Sequence, residues 1–289
     1  MDSTEDFDIH LTDAWARHDT EMQAVASSLA GVGLGLVGSS EQLVALARLT
    51  QHVWGEHLGD AAGGRAALAP LRQHGLAIGE AAATLRVLDA ALALAASQSL
   101  PALDSDSQRI RASALAAASV FEAPRALALL LQAASEADGL ALEDKDPACR
   151  ALAVSSNNLA ARLQRQPLLS AHEQQLMLEA SAISRRFWAR AGGWLEVERA
   201  EYGLALSWLK AGDGPQALHH AQLCRQLVDD NQGPAFERFF AAEAIVLAAR
   251  GADQPALAEQ ALRDARQLFA ELSDDDREVC RSALDKIAA

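Results

Sequence analysis

The sequence predicts an all-α protein, and three observations carry that prediction. Half of the residues are hydrophobic but only 4% are aromatic, and much of the apolar content is Ala and Leu, the strongest helix formers among apolar side chains. The β-branched and aromatic runs that build strands are nearly absent. Proline, glycine and capping residues recur at helix-length intervals along the chain.

That punctuation delimits the helices in order. Ser39-x-x-Gln42 and Ser170-x-x-Glu173 are capping-box patterns. Pro124, Pro147, Pro215, Pro234 and Pro255 each precede an apolar-periodic run, where a first-turn proline is tolerated. Asp146, Asp213 and Asp253 stand beside three of them as candidate N-caps. Gly139, Gly192, Gly212 and Gly251 fall where helices should end, because glycine readily adopts the left-handed stop conformation. Read between these marks, helices are expected over 6–36, 39–58, 60–76, 77–98, 105–122, 124–138, 147–166, 170–191, 194–211, 215–231, 234–250, 255–272 and 274–287. No Pro/Ser/Gly-rich linker divides the chain, so one continuous array is the simpler organisation, with its weakest joints at 59–64 and 99–106.

Composition excludes some functions. A formal net charge of −14 argues against affinity for nucleic acid, which demands a basic face, and against docking on anionic membranes. Cys149, Cys224 and Cys280 lie far apart with no zinc-type spacing, which suits buried thiols in a reducing cytoplasm. The acidic start Met1-Asp2-Ser3-Thr4-Glu5-Asp6 is the opposite of a signal peptide's basic one. Residues 22–40 carry no charge, but Gln23 and several serines and glycines make them poorly apolar, so they read as a packed helix and not as a membrane span. A soluble, cytoplasmic chain is expected.

A repeat is clearest in the C-terminal half. Leu204-Ala205 and Trp208 lie on one predicted helix, Gly212 at the turn, and Ala217 and Ala221 on the next. The following unit places Ile245-Val246, then Ala258, Leu262 and Ala265; earlier, Leu115-Ala116 and Leu159-Ala160 supply the same large–small pair, and Ala126, Leu130 and Ala133 a matching second helix. The pairs are separated by 44, 45 and 41 residues. The run Leu204-Ala205-x-x-Trp208…Gly212…Ala217 resembles the signature of the tetratricopeptide repeat (TPR) superfamily, in its long-period form rather than the 34-residue one. Leu163, Ser119 and Ala249 stand where that signature has an aromatic. The resemblance implies a right-handed α–α superhelix of antiparallel helix pairs. Residues 1–104 would be divergent N-terminal helical repeats, and 105–289 TPR-like repeats with a C-terminal capping helix. HEAT-like and Sel1-like arrays are the other helical-hairpin solenoids compatible with the pattern.

The resemblance also points to a site. Asn157-Asn158 precede a large–small pair, where many peptide-binding members of the superfamily carry an asparagine that bonds a ligand's backbone; an amide can donate and accept at once. Asn158 would be that reader, with Arg162 and Arg165 about one and two turns onward, and Arg199, Tyr202 and Leu206 projecting from the next first-helix into the same groove. The equivalents of Asn158 in later units are Gly203 and Ala244. Independently, 150–190 holds six arginines (Arg150, Arg162, Arg165, Arg185, Arg186 and Arg190) against Glu173 and Glu179. Such a strip suits an acidic peptide or a terminal carboxylate, or else pairs with acidic neighbours in adjacent repeats.

Catalytic patterns are scarce. Gly33-x-Gly35-x-x-Gly38 matches a dinucleotide fingerprint in letters but lacks the strand that the chemistry requires, so it reads as helix packing. His220 and Cys224 share a helix face at i,i+4, a spacing compatible with two metal ligands, yet read as structural filler. His52, Glu56 and His57 form an isolated titratable group, and Asp274-Asp275-Asp276 read as a solvated helix start. The expected function is therefore a non-catalytic scaffold, adaptor or regulator that holds a protein or peptide partner without metal or cofactor. The alternative is a small-ligand receptor or metal-dependent enzyme with its pocket in the N-terminal half; self-association through Gly31-x-x-x-Gly35 is a third option.

Overall fold

The computed structural model describes residues 3–140 and 142–289. Among these the chain is all-α, with fourteen α-helices and no strand. It forms two compact units, Met1–Ser155 and Ser156–Ala289, whose boundary falls within one helix. No described helix is long and apolar enough to cross a membrane.

The first unit holds α1 (Ser3–Arg17), α2 (Met22–Ser28), α3 (Ser40–Gln51), α4 (Ala61–Arg72), α5 (Gly79–Ala95), α6 (Asp106–Ser119), α7 (Ala123–Gly139) and the start of α8 (Pro147–Gln164). The single helix expected over 6–36 is broken after Arg17. His18, Asp19 and Thr20 are poor helix formers whose side chains compete for backbone groups, and Arg17 bridges Asp13 and Glu21 across the break (2.6 and 2.9 Å). α2 then widens into a π turn, Leu29–Gly33. Gly33 packs close to α3: a Cβ would stand 2.9 Å from Leu46 Cδ1, the end of that side chain. Of the run, Gly33 packs within the helical segment, Gly35 has open space at its Cβ position, and Gly38 lies past the helix end.

α3 likewise runs into a π segment, His52–His57, closed by the five-residue bond from Leu58 N–H to Val53 O (2.9 Å). This segment presses on α6, where a Cβ at Gly55 would lie 2.5 Å from Ser119 Oγ. Gln51 Nε2 donates to the same Ser119 oxygen (3.2 Å). The core gathers Phe7, Leu29, Leu43, Leu46, Leu49, Leu68, Leu85 and Leu92. Buried Asp89 is neutralised by Arg65 and Arg72 of α4 (2.9 and 3.0 Å), as a buried carboxylate must be.

The second unit continues α8 and adds α9 (Ala171–Ala191), α10 (Trp194–Lys210), α11 (Gly214–Asp230), α12 (Ala235–Gly251), α13 (Pro255–Glu271) and α14 (Asp274–Ala288). From α9 on, each helix packs on its successor, and α10 also packs on α12 and α12 on α14. The residues of the repeat pattern are the ones inside: Leu204, Ala205, Ala217, Ala221, Ile245, Val246, Ala258 and Ala265 are buried. Small residues permit the closest approach at Gly214, where a Cβ would meet the backbone of Gly251 at 2.0 Å.

The side-chain N-caps work with one exception. Ser39, Ser105 and Ser273 accept from backbone N–H groups at N3 (each 3.2 Å), and Asp213 does so at 3.0 Å. Ser170 and Glu173 close a reciprocal capping box. Asp146 accepts from Ala148 N–H (2.8 Å). Asp253 is not a cap: it takes the left-handed conformation (φ +54°) that ends α12, and the N-cap position of α13 falls on Gln254. Among the four expected glycine stops, Gly212 is the one with positive φ (+83°).

Candidate functional site

The second unit's polar chemistry centres on α10, because a helix with neighbours on three sides must bury some of its charged positions. Glu198 and Glu201, one turn apart, face α11. Glu201 accepts from Arg185 Nε of α9 (2.6 Å) and lies 2.7 Å from His220 Nδ1. Burial pushes the Glu201 carboxyl up, but these two partners outweigh it and hold it below the ordinary glutamate range. Glu198 accepts from the Cys224 thiol (2.8 Å), and the positive charge of Arg199 acts on it only as the smallest of its influences. Burial therefore raises it to about 7, against the opposing Cys224 bond and with a further push from Glu237. The His220/Cys224 pair is committed to carboxylates of α10, so both positions serve helix packing.

Toward α12, Arg199 pairs with buried Glu237, and the Tyr202 hydroxyl donates to buried Glu243 (2.9 Å) while its ring sits edge-on to Phe240. Burial raises the Glu243 carboxyl, against the opposing Tyr202 bond, and the buried Tyr202 hydroxyl is raised as well. Tyr202 is thereby a strut between helices. Arg199 keeps 59% of its side chain exposed despite the ion pair.

The other expected partner-binding residues are spread along α8 and α10. Asn157 and Arg165 are exposed, whereas Asn158, Arg162 and Leu206 are half-buried. Asn157 shares a small recess with Gly203, lined also by Gln164, Ser181 and Ser184. Gln164 Nε2 bridges its floor to Gly203 O and Ser207 Oγ (3.0 and 2.7 Å). Of the arginine strip, Arg185 is paired inside the fold, and Arg186 and Arg190 lie over the Phe187 ring (4.9 and 5.7 Å).

The first unit brings together a group of which the sequence suggested only part. His52 and His57 are five apart, which in an α-helix would point them about 140° away from each other. The π segment, with its longer turn, puts them on one side. Their Nε2 atoms are 3.0 Å apart. His18, just past the end of α1, completes the group: one ring nitrogen from each of the three lies within 4.8 Å of the others. His52 Nδ1 is 3.0 Å from Glu56, His57 Nδ1 is 3.4 Å from Asp19, and His18 Nδ1 is 2.5 Å from the Trp15 carbonyl. The Trp15 ring lies beside His18 and His52 (5.1 and 5.5 Å between centroids). The three side chains keep only 14–16% of their surface. Burial and the neighbouring His52 push His57 down to about 4; burial opposes His52's charge too, but Glu56 and Asp19 raise it above the ordinary value. Sequence reasoning missed His18 and Asp19 because an unbroken helix was expected there. The poor helix formers at 18–20 were the available signal.

The same unit has an open cleft between α3 and α5, lined by Val44, Arg48, Ile78, Glu80 and Thr84, with Ile78 66% exposed. Neither a protein-family model nor a curated protein matches the chain.

Proposed function

We propose that the chain is a non-catalytic interaction scaffold: a TPR-like, right-handed superhelix of antiparallel helix pairs that holds a protein or peptide partner in the cytoplasm. The observation that carries this reading is the packing order of the second unit. Its helices pack on neighbours adjacent or next-but-one in sequence, with α10, α12 and α14 touching in series. Helix-hairpin solenoids build their long binding faces from such one-dimensional stacking. The step from that architecture to partner binding is an analogy of fold, supported by the surface chemistry that follows.

The helical faces offer what a peptide needs: amide and guanidinium groups at Asn157, Arg165 and Arg199, with apolar surface at Leu206. An acidic peptide fits best, because guanidinium groups hold carboxylates in paired hydrogen bonds. Tyr202 leaves the list of contact residues, since its hydroxyl serves Glu243. The cleft on α3 and α5, with an exposed Ile78 beside Arg48 and Glu80, gives the first unit a comparable mixed surface.

The test is affinity capture from a lysate of expressing cells, comparing wild type with Asn157→Ala/Arg165→Glu, two exposed positions whose replacement leaves the core intact. A protein recovered by wild type and reduced at least about tenfold with the double variant, the cost of roughly 1.4 kcal/mol of binding, supports the reading. Equal recovery overturns the site.

A further inference from the structure

The three rings of His18, His52 and His57 raise a problem of protons. If His52 Nδ1–H donates to Glu56 and His57 Nδ1–H to Asp19, both rings are neutral and present bare Nε2 lone pairs to each other at 3.0 Å. Two lone pairs at that distance repel. A cation between or beside them removes the repulsion, and the two carboxylates behind the rings supply charge to balance it. A single proton on His52 would satisfy that pair, but it leaves His18 unexplained. A third imidazole, its Nδ1 already engaged by a carbonyl oxygen, adds nothing to a proton shared by two rings. It does add a third donor to a metal ion.

We propose that His18, His52 and His57 form a site for one divalent transition-metal ion of the Zn2+ class, with a fourth coordination position left to water. In tetrahedral coordination with Zn–N bonds of about 2.0–2.1 Å, ligand nitrogens lie about 3.3 Å apart. The His52–His57 separation of 3.0 Å is close to that. One ring nitrogen of each of the three lies within 4.8 Å of the others, so the set has to draw in by about 1.5 Å at its widest to reach that spacing. Each ring already carries the partner that metal-bound histidines characteristically have on the opposite nitrogen, a carboxylate or a backbone carbonyl, which fixes the tautomer and the ring plane. Three neutral imidazoles and no thiolate suit Zn2+, Cu2+, Ni2+ or Fe2+ and disfavour Ca2+ and Mg2+, which take oxygen ligands. The three rings are largely buried, and the Trp15 ring covers one side of the group.

The site has a structural consequence. His18 belongs to the break after α1, and His52 and His57 to the π segment after α3, so the ion ties the N-terminal helix to the body of the first unit. α1 otherwise rests there through buried Phe7 and Ala14 and half-buried Leu11, while Ile9 and Trp15 are exposed. Metal loading should therefore slow amide exchange in α1 more than elsewhere.

The experiment uses the full chain without a histidine tag, stripped with chelator and titrated with Zn2+ and, for spectroscopy, Co2+. Expected are one equivalent per chain and the strong visible absorption of four-coordinate Co2+. His18→Ala, His52→Ala and His57→Ala should each weaken binding about 10-fold or more. Glu56→Gln should do so by about 10-fold, while His172→Ala, at an exposed position outside the group, should leave it unchanged. Circular dichroism and melting of each metal-free variant check the fold, and the wild-type titration stands without them. No saturable binding to wild type, or binding that survives loss of all three histidines, overturns the proposal and leaves a shared proton as the occupant.

Discussion

Replacing Gly214 by Ala tests the close stacking on which the scaffold reading depends. The new Cβ would stand 2.0 Å from Gly251 O, 2.2 Å from its carbonyl carbon and 2.5 Å from Ala252 N. These are backbone atoms at the end of α12, so no rotamer relieves the clash. Reaching ordinary contact means moving one helix end by more than about 1 Å within a close-packed interior. Overpacking of this kind costs about 1–3 kcal/mol, occasionally more, set against about 0.4–1 kcal/mol gained by stiffening the unfolded chain. The difference is at most about 2.6 kcal/mol, and a clash with backbone that no rotamer relieves puts the net loss near the upper end, at about 2 kcal/mol. With an unfolding entropy of about 2.1 cal/mol/K per residue, and a unit of about 130 residues, that lowers its melting temperature by about 7 °C. The assay is thermal melting by circular dichroism, with Gly203→Ala as the control. Gly203 sits inside α10 with open space at its Cβ position, and Ala there should stabilise by about 0.5–1 kcal/mol. A Gly214→Ala melt within about 1 °C of wild type would refute the close approach of α11 to α12.

Other outcomes follow from the buried polar groups. Glu198 has its carboxyl raised to about 7 in the folded chain, so the folded state binds more protons than the unfolded one between the ordinary glutamate value and 7; stability falls as pH rises through that window and stays low above it. Glu198→Gln removes this dependence, and urea titrations should find the variant gaining about 2 kcal/mol on wild type between pH 5 and pH 8. Tyr202→Phe strands buried Glu243 without its hydroxyl donor and should cost about 1–2 kcal/mol in the same titration at pH 7; no loss would mean the strut is not formed. All three cysteines are buried, and burial raises the Cys224 and Cys280 thiols, the latter to about 11. The native chain should therefore react slowly with a disulfide reagent, and rapidly with three equivalents once unfolded in guanidinium.

Helix existence and most helix ends were legible in the sequence because they are set by chemistry within one turn. Ser170 and Glu173, or Asp213 beside Pro215, act on backbone groups three residues away and need nothing from the rest of the chain. The small residues inside were legible too, since Ala205, Ala217, Ala221 and Ala265 recur at helical spacing whichever helix they meet. Where local preference was overridden, at the left-handed Asp253 and the π segment after Gln51, the backbone conformation depended on neighbours. From the sequence, Arg199 and Tyr202 were expected to project into a groove and His220 to be structural filler beside Cys224. Tertiary structure gave them Glu237, Glu243 and Glu201, partners 38, 41 and 19 residues away. Likewise His18 met His52 and His57 only because the chain breaks after Arg17 and a π turn rotates two rings onto one side. The sequence by itself determined the helices, their order and their apolar faces, because these follow from bonds and spacings within a few residues. Only the tertiary structure decided which charged and imidazole side chains face each other, because that depends on how whole helices pack.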